Sequence, residues 1–187
     1  MQDAIRILIL GVGNPGRGDD GLGPRLLERL RETEGGGPRV SAGESPPAAR
    51  PPGNAGNAPA VDAEFRYQLN VEDALAIKGY DLVVFVDARE TGDAPVEWEE
   101  IVPSKSISFS THEMAPASVL ALCEELFDKT PRAYVLSIRG YEWDMGEKLS
   151  EGAEKNLARA VETLRDFLGS THGKKRSHRP QGSSGDE

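Results

Sequence analysis

The sequence predicts an α/β protein built on a mostly parallel, twisted sheet with helices on both faces. Short apolar runs typical of strands alternate along the chain with segments whose apolar residues recur at helical spacing. The clearest strand runs, residues 5–10 and 82–86, are almost wholly apolar and rich in β-branched residues, as in strands buried on both faces. A sheet covered on both faces implies three layers, and 187 residues suit a single domain.

The individual elements follow in order along the chain. Five strands are predicted at residues 5–10, 63–67, 82–86, 96–102 and 133–138, the fourth as an edge strand. Four helices are predicted: one buried through Leu22, Leu26, Leu27 and Leu30, one from an N-cap at Asn70 to Ile77, one from near Pro116 with Cys123 on its apolar stripe, and one capped by Ser150. The predicted domain spans residues 1–169.

Two segments lie outside this pattern. Residues 35–60 hold six of the 13 prolines and six of the 21 glycines and no aromatic residue, which predicts a disordered surface insertion whose removal spares the fold. Residues 170–187 form a polar, partly basic tail that we expect to be disordered and to have no catalytic role.

Charge and composition argue against several classes of function. With 22 Lys+Arg against 31 Asp+Glu, the formal charge is -9, so the surface repels phosphate backbones and no nucleic-acid partner is expected. The single cysteine, Cys123, excludes an internal disulfide framework and a zinc site of clustered thiolates. No serine nucleophile elbow and no His-Glu-x-x-His helix is present, and Cys123 is expected to be buried, so a covalent hydrolase lacks its parts. No signal peptide or membrane span is predicted, and we expect a cytoplasmic protein without membrane contact.

The segment after the first strand contains a glycine-rich turn, Gly11-Val12-Gly13-Asn14-Pro15-Gly16, which matches the pattern of dinucleotide-binding loops. Asp19 and Asp20 at the start of the next helix would repel a diphosphate, which argues against a nucleotide site. The alternative is structural: the glycines form a tight turn and Asp19 caps the helix. We favour the structural role for Asp19.

Three other residues are candidates for chemistry. Asp20 adds a second negative charge beside Asp19, which a bound cation would neutralise. Asp87 follows the most buried strand, at the carboxyl end where open α/β sheets bind ligands, and His112 is the only histidine outside the tail. Because the exits of parallel strands meet at one edge of the sheet, Asp20, Asp87 and His112 are predicted to form one site. Two carboxylates and an imidazole can bind a divalent ion at about 2.0–2.2 Å and leave other coordination positions of the ion open.

Four blocks spread along the chain carry a family resemblance. They are Gly11-Val12-Gly13-Asn14 with Asp19-Asp20-Gly21, Val84-Phe85-Val86-Asp87-Ala88, Ser110-Thr111-His112-Glu113-Met114, and Ile138-Arg139-Gly140-Tyr141-Glu142 leading into Leu149-Ser150. On these blocks and their order, the sequence resembles the hydrogenase maturation endopeptidases, which trim the C-terminus of the large subunit of nickel-iron hydrogenases.

The resemblance implies a phosphorylase/hydrolase-like α/β fold with a five-stranded sheet. The family's metal-binding residues correspond to Asp20, Asp87 and His112, which therefore take both the metal-binding and the catalytic roles. The nickel is expected to arrive with the substrate, a hydrogenase large-subunit precursor, and the protease to be a monomer that is purified without metal. Nickel could polarise the scissile carbonyl or activate a water, with Asp20 or Asp87 as the base, and the sequence does not choose among these.

Two departures from the family pattern leave the choice of substrate open. The insertion is one, and the other is Tyr67-Gln68-Leu69-Asn70, which stands where many relatives have a glycine-rich turn. Tyr67 and Gln68 line a peptide groove on one interpretation, whereas Tyr67 has a packing role on the other. Arg139 and Glu142 carry the same ambiguity.

Two other functions compete with the peptidase. Peptidyl-tRNA hydrolases have a similar fold and share Gly13-Asn14-Pro15-Gly16, but they continue to a Thr-Arg-His-Asn stretch with the catalytic histidine, where this chain has Arg17-Gly18-Asp19-Asp20-Gly21. The second alternative is a metal-sensing chaperone of hydrogenase assembly that binds the large subunit without cutting it.

Overall fold

The computed structural model describes residues 5–32, 39–41, 60–104 and 114–171. In these ranges the elements are β1 (Arg6–Val12), α1 (Leu22–Arg31), β2 (Arg39–Ser41), β3 (Ala60–Arg66), α2 (Asp73–Ile77), β4 (Leu82–Arg89), β5 (Val96–Ile101), α3 (Pro116–Phe127), β6 (Arg132–Arg139) and α4 (Glu151–Thr171). A 3₁₀ helix, Gly18–Gly21, lies between β1 and α1. Across this described part, none of the helices combines the length and the apolar character that a bilayer crossing needs.

The strands form one sheet in the order β2-β3-β1-β4-β6-β5. Neighbouring strands run parallel, except that β5 is antiparallel to β6 at one edge. All five predicted strands are present, and the predicted α/β fold class is confirmed.

Helices cover both faces of the sheet, as the apolar strands require. α1 and α4 pack on one face, where Leu26, Val84 and Leu164 are fully buried. α2 and α3 pack on the other face, called the α2/α3 face below, where Phe85 and Leu120 are fully buried. Each such side chain stabilises the fold by about 1.5–3 kcal/mol relative to an exposed one. The three-layer prediction therefore holds.

The starts of α3 and α4 follow the predicted local signals. Pro116 occupies the first position of α3, and the Ser150 Oγ accepts a hydrogen bond from the Ala153 N–H at 3.1 Å, so Ser150 caps α4 as predicted. The predicted cap at Asn70 is wrong. α2 begins at Asp73, and the Asn70 side chain instead accepts from the Glu72 N–H at 3.0 Å, because a turn precedes the helix.

The sheet has one more strand than expected. β2 falls inside the predicted insertion and pairs in parallel with β3, which begins at Ala60 rather than at residue 63. The prediction of disorder is wrong at Arg39–Ser41, because a strand at a sheet edge is held by main-chain hydrogen bonds and needs no apolar run. Residues 35–38 and 42–59 of the insertion lie outside the described residues, as does the tail after Thr171.

Candidate active site

The candidate site lies at the carboxyl ends of β1 and β4. These strands are neighbours, with Gly11 opposite Val86. The next strand in the sheet beyond β1 is β3, and the next beyond β4 is β6, so the connections leave in opposite directions. Open α/β sheets have their ligand crevice at such a switch in strand order. The topology therefore predicts a ligand crevice at the ends of β1 and β4, where Asp20 and Asp87 lie.

Asp20 lies in the 3₁₀ helix that follows β1 and contacts β4. Its Oδ2 accepts a hydrogen bond from the Asn14 N–H at 3.3 Å. Gly13 has a φ of +128°, and a Cβ there would lie 1.9 Å from the Asp20 carbonyl oxygen, so this turn has room only for glycine. The half-buried carboxylate of Asp20 is thus held against the turn at the end of β1 and stays accessible to a ligand.

Asp87 lies near the end of β4, opposite Ser137 of β6. Side chains alternate along a strand, so Asp87 shares the α2/α3 face with Val83 and Phe85. Its Oδ1 accepts a hydrogen bond from the Ala88 N–H at 2.8 Å, and the residue is half-buried. The structure therefore brings Asp20 and Asp87 to the same edge of the sheet.

His112 lies outside the described residues, because the chain is described up to residue 104 and again from Met114. Met114 packs against the core on the α2/α3 face, and its N–H donates to the Leu69 carbonyl at 3.4 Å. The chain thus re-enters the described structure on the face that carries Asp87. Within the described ranges, no three side chains of His, Cys, Asp or Glu form a metal-binding group, and the place of His112 in such a group stays a prediction.

Asp19 has a structural role, but a different one from the cap that was predicted. α1 has Gly21 at its N-cap and no side-chain cap. The Asp19 carboxylate is 0% exposed and accepts hydrogen bonds from the N–H groups of Tyr141 (2.7 Å), Glu142 (3.0 Å) and Ser150 (2.7 Å) and from the Ser150 hydroxyl (2.7 Å). Burial raises the pKa of Asp19, but these hydrogen bonds outweigh burial and hold the pKa below its usual value. Asp19 fastens the turn after β1 to the chain between β6 and α4.

An ion network beside the site was missed in the sequence. Arg66 is bound to Glu64 at 2.6 Å and to Asp73 at 2.7 Å, and the side chains are 11%, 2% and 2% exposed, respectively. Burial lowers the pKa of Arg66, but the carboxylates of Asp73 and Glu64 raise it above its usual value. The Arg66 carbonyl also accepts from the Gly13 N–H at 3.0 Å, which connects the network to the turn that holds Asp20. The signal in the sequence was the pair Glu64 and Arg66, two opposite charges two residues apart in a predicted strand, whose side chains point to the same face.

The other residues of uncertain role separate into exposed and structural ones. Tyr67 is 62% exposed, and its ring meets that of Phe65 edge-on with centroids 4.8 Å apart, so it is not a core residue. The Arg139 guanidinium lies over the Tyr141 ring at 5.1 Å, and the main chain of Glu142 bonds to Asp19. Cys123 is a free, fully buried thiol whose pKa is raised by burial, as its predicted place on an apolar stripe requires.

The fold is that of solved hydrogenase maturation proteases. HycI from Thermococcus kodakarensis has a TM-score of 0.56 at 24% identity, over 88% of this chain and 92% of that one. HybD from E. coli has a TM-score of 0.61 at 17% identity, over 89% of this chain and 94% of that one. A hydrogenase 2 maturation peptidase from a Thaumarchaeota archaeon has a TM-score of 0.54 at 21% identity, over 88% and 98%. Neither the protein-family models nor the curated proteins contain a match to the chain. The family resemblance seen in the motif blocks is confirmed at the level of the fold.

Proposed function

We propose that this protein is an endopeptidase that removes the C-terminal extension of a nickel-iron hydrogenase large-subunit precursor after nickel has been inserted. It acts in the cytoplasm as a monomer. Its fold matches that of the maturation proteases HycI and HybD. The four motif blocks of the sequence point to the same class independently of the fold.

One observation carries the proposal. Asp20 and Asp87 are 67 positions apart in sequence, yet both lie at the carboxyl-end edge of the sheet, where the adjacent parallel strands β1 and β4 end. Both are half-buried, so they are accessible to a substrate. A crevice at a switch in strand order is where this class of sheet binds its ligands.

The chemistry of this site follows from its groups. Nickel is part of the substrate and is held there by the thiolates of the precursor. Asp20, Asp87 and the predicted ligand His112 complete its coordination at about 2.0–2.2 Å, the range of carboxylate and imidazole bonds to a borderline divalent ion. Hydrolysis adds water across the scissile peptide bond. The ion polarises the carbonyl or activates the water, and one of the two carboxylates accepts the proton.

The proposal is tested by incubating the purified protein with nickel-loaded and with nickel-free precursor. Mass spectrometry of the large subunit then reports cleavage. We expect the mass of the extension to be lost from the nickel-loaded precursor alone. Binding without a mass change would identify a chaperone instead, and cleavage of the nickel-free precursor would contradict the recognition of nickel.

The site residues are tested by substitution in the same assay. Asp20→Ala, Asp87→Ala and His112→Ala should each lower the cleavage rate by at least about 100-fold, the low end for a lost acid or base, and leave the protein folded. Matched controls are Asp93→Ala, an exposed acid after β4, and His172→Ala in the tail, both of which should cleave normally. Normal cleavage by His112→Ala would remove that residue from the site.

Peptidyl-tRNA hydrolysis is disfavoured by the structure around Asp19. That family carries its catalytic histidine in the stretch after the shared Gly-Asn-Pro-Gly turn. Here the corresponding stretch holds Asp19, whose carboxylate is fully buried and bonded to the chain before α4. A formal charge of -9 also opposes tRNA binding. Release of tRNA from peptidyl-tRNA by the purified protein would reverse this conclusion.

A further inference from the structure

Asp19 and Asp20 are adjacent in sequence and differ in environment. Asp20 is half-buried at the edge of the sheet where β1 ends, whereas the Asp19 side chain is 0% exposed and is directed into the protein. The four donors to Asp19 all belong to residues 140–150, called the β6–α4 loop below. Asp19 therefore connects the candidate site to a segment more than 120 residues away in sequence, with separations of 122 to 131.

Main-chain hydrogen bonds reinforce this connection. The Asp19 N–H donates to the Glu142 carbonyl at 2.8 Å, and the Gly18 N–H donates to the Gly146 carbonyl at 2.6 Å. The Gly146 N–H in turn donates to the Gly16 carbonyl at 2.9 Å. The main chain immediately before Asp20 is thus held along its length by the β6–α4 loop.

The other side of Asp20 is also fixed. Its carbonyl packs against Gly13, where a Cβ would lie 1.9 Å away, and its carboxylate accepts from the Asn14 N–H at 3.3 Å. Asp20 is therefore confined between the turn after β1 and the backbone that Asp19 anchors. Small movements of the 3₁₀ helix would move the Asp20 carboxylate relative to the crevice.

We propose that Asp19 is the positioning residue for Asp20, and that the β6–α4 loop is thereby part of the site. The inference rests on the proposed function, in which Asp20 binds the nickel of the substrate. Only a carboxylate serves four donors in this place. An asparagine has one acceptor oxygen, and its NH₂ group would face an N–H or O–H donor of the loop.

The kinetic test compares Asp19→Asn with Leu164→Ala on nickel-loaded precursor. Leu164 is a fully buried residue of α4, so its truncation destabilises the fold and leaves the Asp19 contacts intact. Each variant is assayed well below its own melting temperature. We expect kcat/KM to fall at least about 10-fold in Asp19→Asn, because a displacement of about 1 Å in a group that contacts the substrate costs up to 100-fold. Leu164→Ala should keep the wild-type kcat/KM.

A second test does not depend on activity. The Asn14 amide donates to the Asp20 carboxylate, so its hydrogen exchange, normalised to the Ile9 amide within β1, reports whether Asp20 stays in place. We expect this ratio to rise at least about 10-fold in Asp19→Asn and to be unchanged in Leu164→Ala. If Asp19→Asn does not fold, Ser150→Ala removes the hydroxyl donor to Asp19, together with the hydroxyl that caps α4, and should give the same changes at smaller size.

The outcomes separate this inference from the proposed function. Wild-type protein that fails to cleave nickel-loaded precursor would contradict the proposed function. The exchange ratio would still show whether Asp19 holds Asp20 in place. An unchanged exchange ratio in Asp19→Asn, or a kcat/KM equal to that of Leu164→Ala, would overturn the positioning role.

Discussion

Replacing Arg66 with methionine removes the positive charge that lies between Glu64 and Asp73. Both carboxylates are 2% exposed and lie 2.6 and 2.7 Å from the guanidinium. Methionine keeps much of the volume of the side chain but leaves two buried acids without this counter-ion. Removing one partner of a buried ion pair costs about 3–5 kcal/mol, so Arg66→Met should lower the free energy of unfolding by that amount near neutral pH.

The stability lost in Arg66→Met should be smaller at low pH than at high pH. Burial raises the pKa of Glu64 in the wild-type protein, although Arg66 lowers it in part. Without Arg66, the pKa of Glu64 rises further, so the folded state binds more protons than the unfolded state. Stability then falls as pH rises from the unfolded pKa through the folded one. Arg66→Met should therefore lose less stability at about pH 5 than at about pH 8.

Urea denaturation followed by circular dichroism measures both effects. The matched control is Arg132→Met, because Arg132 pairs with Glu100 at 2.6 Å but the two side chains are 61% and 49% exposed. An exposed pair contributes about 0–1 kcal/mol, so this variant should lose little stability. Equal losses in the two variants, or a loss in Arg66→Met that grows toward low pH, would refute the reasoning.

Three further predictions concern single groups. Gly13→Ala should lower the free energy of unfolding by about 2 kcal/mol or more and impair cleavage, because Gly13 has a positive φ and a Cβ there would clash with the Asp20 carbonyl. In Gly169→Ala, a Cβ in α4 would meet no atom within 4 Å, so this control should raise the free energy of unfolding by about 0.5–1 kcal/mol. Thermal unfolding measures both changes. The Cys123 thiol should react with a thiol reagent only as fast as the protein unfolds, and rapid reaction of the native protein would contradict its burial. The Tyr80 hydroxyl donates a hydrogen bond to Asp62 at 3.1 Å, and its pKa is raised chiefly by burial. Tyr80 should therefore ionise only above about pH 10, the usual tyrosine value. Tyr80→Phe should leave the ultraviolet titration of the protein below that pH unchanged.

The sequence was informative where local pattern determines structure. The apolar run before Asp87 is the buried strand β4, and the spacing of Leu22, Leu26 and Leu30 is the buried stripe of α1. These elements follow from periodicity, which depends on near neighbours only. The position of Asp20 and Asp87 at one edge of the sheet was also predictable, because parallel strands end at one edge.

Contacts between distant segments were not predictable in this way. The partners of Asp19 lie more than 120 positions away, so a helix cap was the nearest interpretation that local sequence offered. Arg66 looked like one charge in a short strand, since its pairing with Asp73 depends on how α2 packs on the sheet. β2 carries no periodic signal in three residues, and its strand conformation comes from pairing with β3.

The most direct test is a crystal structure with a nickel-bound C-terminal segment of the precursor. The measured quantities are the separations among the Asp20 carboxylate, the Asp87 carboxylate and the His112 imidazole. The account predicts that all three lie within about 5 Å of one another around a single ion, at ligand distances of about 2.0–2.2 Å. Nickel bound elsewhere, with the imidazole facing away from both carboxylates, would contradict it.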